Sequence, residues 1–194
     1  MGALHRARFS IIAIALMHVI TVTAGMVMVH TGNAFALSYR DRLVARANAS
    51  DPVSLAYQRG RRLRATLIEA ARTQWACVSM SVTGLTVVSP FALTAYRGWV
   101  GGIVSVDGNH RSRLVEPGEA VYYLSVVILQ LIPYSLAGGA GVNVGLVYFR
   151  PRAEYQGPKW IGYPKEALWD LVRILVLIIP LVAVANAVEF LTPR

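Results

Sequence analysis

Four long apolar runs, separated by polar and Arg-rich stretches, organise this chain. The first is FSIIAIALMHVITVTAGMVMV, Phe9 to Val29. It has the length of about 20 residues that a helix needs to cross a bilayer core. Arg6 and Arg8 precede it, and NAFA (Asn33 to Ala36) follows with the small-x-small look of a signal-peptidase site. A cleaved signal peptide therefore competes with a retained anchor. Its apolar core would normally be only about 7–15 residues, which favours the anchor. The second run, Trp75 to Tyr96, carries Trp and Tyr at its ends like interfacial anchors. Its Pro90 predicts a kink near the exit. RGWVGGIVSV (Arg97 to Val106) is too short to cross alone and predicts a re-entrant half-span or a buried loop. A polar loop follows over 107–119. The third full span is expected over 120–149 and the fourth over 169–191. The stretch 150–168, rich in Pro, Gly and aromatic residues, reads as an ordered interfacial loop.

The segment 31–74 contains no span. It holds eight arginines against Asp41, Asp51 and Glu69. Ala56, Gly60, Leu63, Leu67, Ala70 and Gln74 recur at helical spacing, while Arg61, Arg62 and Arg72 fall off that stripe. The pattern predicts a basic amphipathic helical region, either lying on the membrane surface or docked as a hairpin on the bundle or a partner.

Composition agrees with a membrane setting. The 194 residues are 55% hydrophobic and 15% charged, with a mean hydropathy of +0.49. A soluble domain carries about 25% charged residues. The net charge of +9 would suggest nucleic acid in a soluble protein. Here the basic residues lie in loops beside apolar spans, where they face anionic lipid and set topology. Four full spans put 31–74 and 149–168 on one side with twelve basic residues, against six on the other. Positive-inside then places the amino terminus outside. A fifth crossing by 97–106 would instead put the amino terminus and the 149–168 loop in the cytoplasm, so the orientation stays open. The single cysteine, Cys77, excludes an internal disulfide, and the four histidines show no metal-ligand spacing. No cofactor or metal is expected.

The stretch LIPYSLAGGAGVNVG tests three functional readings. A phosphate-cradling loop needs Lys-Ser/Thr after its glycines, and a dinucleotide fold needs a strand–turn–helix setting. Neither is present. Ala137, Gly141 and Gly145 recur at intervals of four, the pattern that lets helix backbones approach closely. Pro133 invites a kink or break, and a broken helix at mid-membrane can form a transport site. No second broken span in an inverted repeat matches it, so helix packing is the leading account.

Polar residues within the apolar runs are candidates for an intramembrane site by default. These are His18, Gln130, Asn143 and Glu189. For His18 a single hydrogen bond to a neighbouring helix is the expected role. Asp170 and Arg173, three apart, suit a local ion pair. Arg59, Arg61, Arg62 and Arg64 are candidates for lipid or partner contacts. Serines occur at 79, 81, 89, 105, 125 and 135 without a Gly-x-Ser-x-Gly elbow or a motif-borne base. No nucleophile–base pair has sequence support, and the chain is expected not to be an enzyme.

The order of features resembles the stage II sporulation protein M family over nearly the whole chain, most specifically from Trp75 onwards. A first span precedes an amphipathic segment and then GLTVVSPFALTAYRGWVGGIVSV, like the family's span ending in an aromatic-x-Gly-x-x-x-Gly continuation. LIPYSLAGGAGVNVGLVYFRP follows, where the family has a proline motif and small residues. The ending Val188-Glu189-Phe190-Leu191-Thr192-Pro193 looks like its acid–aromatic–x–Thr/Ser–Pro close. Many members follow the proline with His-Gly and an acid four positions on; Tyr134, Ser135 and Gly138 stand there instead. Glu189 is the family-like acid that remains.

The resemblance implies a polytopic membrane protein of bacteria or archaea without established catalysis. The expectation is a single all-α membrane domain with four full spans, one short embedded segment and the basic region after the first span. In the prokaryotic cytoplasmic membrane it would act as a scaffold or accessory subunit. Its expected partners are other membrane subunits, anionic lipid or a second copy, and not nucleic acid. The alternative is a small permease or channel component that uses the broken third span. An intramembrane hydrolase comes a distant third.

Overall fold

The computed structural model describes residues 2–192. Pro193 of the closing motif and Arg194 of the basic count lie outside the described residues. The described chain is all-α apart from one two-stranded ribbon. Its helices are α1 (Gly2–His30), α2 (Ala34–Ser50), α3 (Pro52–Gln58), α4 (Arg62–Thr83), α5 (Ser89–Ile103), α6 (Pro117–Phe149) and α7 (Lys165–Leu191). Strands β1 (Lys159–Trp160) and β2 (Tyr163–Pro164) pair antiparallel between α6 and α7. Among the described residues, α1, α6 and α7 are the helices long and apolar enough to cross a membrane. They turn apolar side chains outward. Phe9, Ile12, Leu16 and Ile20 of α1 and Val172, Val176 and Ile179 of α7 are exposed, an inside-out arrangement suited to lipid.

The expected second span does not form one helix. The apolar run that begins at Trp75 belongs to α4, which continues from Arg62 and ends at Thr83. A 3₁₀ turn over Gly84–Thr86 follows, and Val87 takes the positive φ of 67° that a β-branched residue rarely adopts. Pro90 does not kink a helix; it stands in the first turn of α5, where a missing N–H costs nothing. Residues 97–103 of the expected short embedded segment are the last turns of α5. Helices α4 and α5 thus run antiparallel, and at 15 residues α5 is about 22 Å long.

This hairpin changes which segments share an end of the bundle. Arg152 donates to the Arg6 carbonyl, so the 150–164 segment lies beside the start of α1. Tyr57 packs edge-on against Phe190, and Arg40 reaches the Val106 carbonyl, which puts α2, α3 and the 104–116 segment at the opposite end. The 31–74 and 149–168 segments are therefore on opposite ends, as a fifth crossing would have them and the four-span count would not. The extra reversal lies at 84–88, inside the expected second span, rather than at 97–106.

The basic region is three helices rather than one. Asn33 caps α2 by accepting from the Ala36 N–H, and Asp51 caps α3 by accepting from Val53 and Ser54, with Pro52 in the first turn. Gly60, at φ +72°, lets the chain turn from α3 into α4. The expected apolar stripe divides: Ala56 is buried and Ala70 packs against the main core, while Leu63 and Leu67 face away from it. Leu63 and Leu67 are over 60% exposed, in line with exposed Trp75 and Val82. Ala65, Cys77 and Met80 pack inward instead.

Glycines close the bundle. Gly141 lies against the backbone of Ser81 and Gly84, and a Cβ on Gly145 would stand 2.7 Å from the Gly84 carbonyl oxygen. The Ala137–Gly141–Gly145 face therefore receives the end of α4 and the turn after it. The Ser81 hydroxyl adds a hydrogen bond to the Ala137 carbonyl at 3.0 Å. A second seam joins α5 to α1, where Gly98 meets the His18 carbonyl and Thr21, and Gly102 meets Val22 and Gly25. The main core cluster draws Ala7 from α1, Cys77 and Met80 from α4, Ala137 from α6 and Ile178 from α7. Helix α6 runs on through Pro133, which is buried. Of the kink or break that Pro133 invites, the break is absent, because neighbouring helices can compensate a proline's lost bond inside a bundle.

Candidate functional site

Helices α4 and α5 meet near their shared turn, where Met80 faces Thr94, and leave a polar crevice floored by α6. Its volume is about 410 Å³. The charged lining comes from Glu69 and Arg72 of α4 and Arg97 of α5. His18, Tyr96, Gln130 and Tyr134 add polar groups, and Val100, Val104 and Val127 supply apolar wall. Arg72 bridges to Asp51 at 2.8 Å and to Glu69 at 3.6 Å. Arg97 donates to the Tyr134 hydroxyl, with its guanidinium carbon 4.5 Å from that ring's centre. Gln130 donates to the Glu189 carboxylate at 2.7 Å.

The four polar residues singled out from the sequence divide between two places. His18 and Gln130 line the crevice, and Glu189 is tied to it through Gln130. His18 does not make the single interhelical hydrogen bond expected of it. It is 5% exposed, and its buried Nδ1 has no partner among the described residues. Asn143 belongs elsewhere. Its amide donates to the Tyr155 hydroxyl at 3.0 Å, and its carbonyl oxygen accepts from Arg152 at 3.2 Å.

That second place is an ion network at the amino-terminal end of α1. Asp170 is 2% exposed and takes two hydrogen bonds of 2.7 Å from Arg6. Tyr155 donates to the same carboxylate at 3.1 Å and Arg173 at 3.2 Å. The local Asp170–Arg173 pair is thus a minor part of a clamp joining α1, α6, α7 and the intervening loop. A bidentate arginine in a buried pair fixes register as well as energy. Arg6 was legible only as a flank of the first span, because its partner lies 164 residues away.

The arginines at 59, 61, 62 and 64 are exposed around the α3–α4 turn, and none makes an ion pair among the described residues. At the same end, Arg40 and His110 both bind the Asp41 carboxylate. The Arg40 bond is the main cause holding that carboxyl below its ordinary range, with His110 adding to it. Sequence reading missed Glu69, Arg72 and Arg97 as crevice residues. A signal existed in part: Glu69 and Arg72 lie opposite the Leu63–Leu67 stripe on the helical wheel. Among the described residues, no group of His, Cys, Asp and Glu is placed to hold a metal. No family model, curated protein or solved structure matches the chain.

Proposed function

We propose that this protein is a non-catalytic, multi-pass component of the prokaryotic cytoplasmic membrane, a scaffold or accessory subunit that packs with other membrane proteins. One observation carries the reading. A bundle locked by two glycine seams displays at one end a basic cluster, Arg59, Arg61, Arg62 and Arg64, without ion pairs among the described residues. Rigid presentation of such cations suits an acidic partner surface or anionic lipid rather than a reaction. The resemblance to the stage II sporulation protein M family belongs to this proposal. The permease alternative draws on a break at Pro133, where α6 is continuous, and on His18, Gln130 and Asn143.

In this reading α1, α6 and α7 cross the bilayer and the α4–α5 hairpin inserts beside them, with Leu63, Leu67, Trp75 and Val82 facing lipid. The end bearing Arg40 to Arg64, Arg111 and Arg113 carries nine basic residues against six at the other, and faces the cytoplasm. Gentle detergent extraction followed by native mass measurement tests the scaffold role. A co-purifying membrane protein, lost when Arg59, Arg61, Arg62 and Arg64 are replaced by Gln, is the expected result. A lone monomer from every extraction overturns it.

A further inference from the structure

Arg97 sits at an expensive depth. Its neighbour Gly98 presses on α1 at His18, and its hydroxyl partner Tyr134 lies on α6. Both contact points fall near the middle of long apolar helices, Gly2–His30 and Pro117–Phe149. Even the mildest insertion scales charge about 2.5–3.5 kcal/mol for an arginine at that level of a bilayer. Such a group requires a counter-anion or water. The acids within reach are engaged elsewhere. Asp51 and Glu69 share Arg72, and Glu189 is bound by Gln130. Among the described residues Arg97 makes no ion pair; it meets the hydroxyl and the ring face of Tyr134.

The space beside this guanidinium is built. The crevice of about 410 Å³ falls within the usual range of small-ligand sites, roughly 300–1,000 Å³. Its α1 wall is His18, almost fully buried; its Nδ1 is enclosed without a partner, so a ligand meets the ring at the edge that lines the crevice. Val100, Val104 and Val127 make the rest of the wall apolar. A bare inorganic anion would leave that wall unused. An anionic group carried on an apolar body would match both parts.

We propose that the crevice between α4, α5 and α6 binds the anionic head group of a small amphiphile, a carboxylate or a phosphodiester, with Arg97 as its charge partner and His18 as a hydrogen-bonding neighbour. Glu69 on the α4 wall disfavours a second negative charge. The inference rests on the membrane placement of the helices, which carbonate extraction tests separately.

Full-length protein in phosphatidylcholine nanodiscs is titrated with radiolabelled oleate, phosphatidylglycerol, inorganic phosphate and acetate. Saturable binding of one amphiphile per chain is expected, weakened at least tenfold by Arg97→Gln and several-fold by His18→Ala. Lys159→Gln, an exposed cation outside both the crevice and the Arg59–Arg64 cluster, should leave it unchanged. Val127→Trp fills the crevice while keeping Arg97, and should abolish binding even if Arg97→Gln fails to fold. Arg97-dependent binding of phosphate or acetate without either amphiphile would overturn the amphiphile assignment. The proposal is overturned if none of the four ligands saturates, or if Val127→Trp binds like the unaltered chain.

Discussion

Gly141→Ala is the smallest perturbation that tests whether glycine seams hold this bundle. The added methyl would stand 2.9 Å from the Ser81 Cα and 3.0 Å from the Gly84 Cα, besides meeting the Ser81 carbonyl. Carbon pairs prefer about 3.5–4.0 Å, so the last turn of α4 must retreat by about 0.5–1 Å. Overpacking against backbone costs about 1–3 kcal/mol. The same retreat stretches the Ser81–Ala137 hydrogen bond, and interhelical bonds of this kind are worth about 0.6 kcal/mol. Alanine's better helix propensity returns about 1 kcal/mol. The net expectation is destabilisation by about 1–2 kcal/mol. Reversible unfolding by SDS titration in mixed micelles, followed by circular dichroism, measures it. Gly118→Ala is the control, because no atom lies within 4 Å of its added methyl. It should be neutral or stabilising. A Gly141→Ala protein as stable as the unaltered chain would refute the seam. Gly141→Leu should go further and break assembly; an intact complex with that variant would also count against it.

Asp170→Ala should destabilise by about 1–3 kcal/mol, because Arg6 loses two charge-assisted hydrogen bonds and keeps only Glu166 as an acidic partner, at 3.7 Å; the same unfolding assay reads it. Leu67→Cys should react with lipid-soluble but not water-soluble maleimides, while buried Cys77 stays unreactive; labelling of the introduced thiol by the water-soluble reagent would argue against the lipid-facing stripe. Asp41 has a lowered carboxyl pKa in the folded protein, so its contribution is present above the unfolded value of about 3.9 and fades as pH falls through the folded value. Asp41→Asn should therefore reduce stability at pH 7 and match the unaltered chain at strongly acid pH, in thermal unfolding followed across pH.

The positions of α1, α6 and α7 were readable because about 20 consecutive apolar residues leave a helix as the sole economical structure in lipid. The spacing of Ala137, Gly141 and Gly145 likewise placed three small residues on one helix face, since a helix repeats every 3.6 residues. Local chemistry alone placed the caps less well: Asn33 and Asp51 are ordinary cap residues, yet the 31–74 segment read as one amphipathic region. Its apolar stripe is divided by the turn at Gly60, with Ala56 and Ala70 packed inward and Leu63 and Leu67 exposed. Hydrophobic periodicity marks a face without saying whether protein or lipid covers it.

Tertiary structure decided the rest. The reversal at 84–88 rests on Gly84 lying against Gly141, a contact between residues far apart in the chain, and no local apolar count registers it. That reversal in turn moved the 31–74 and 149–168 segments to opposite ends. The crevice has the same origin, because Glu69, Arg97, His18 and Gln130 come from four helices and share no motif. The sequence alone determined an all-helical, membrane-suited chain with a small-residue face. Which face meets which helix, and where Arg97 stands relative to His18, arose from packing between distant segments, because one-dimensional spacing carries no information about partners across the bundle.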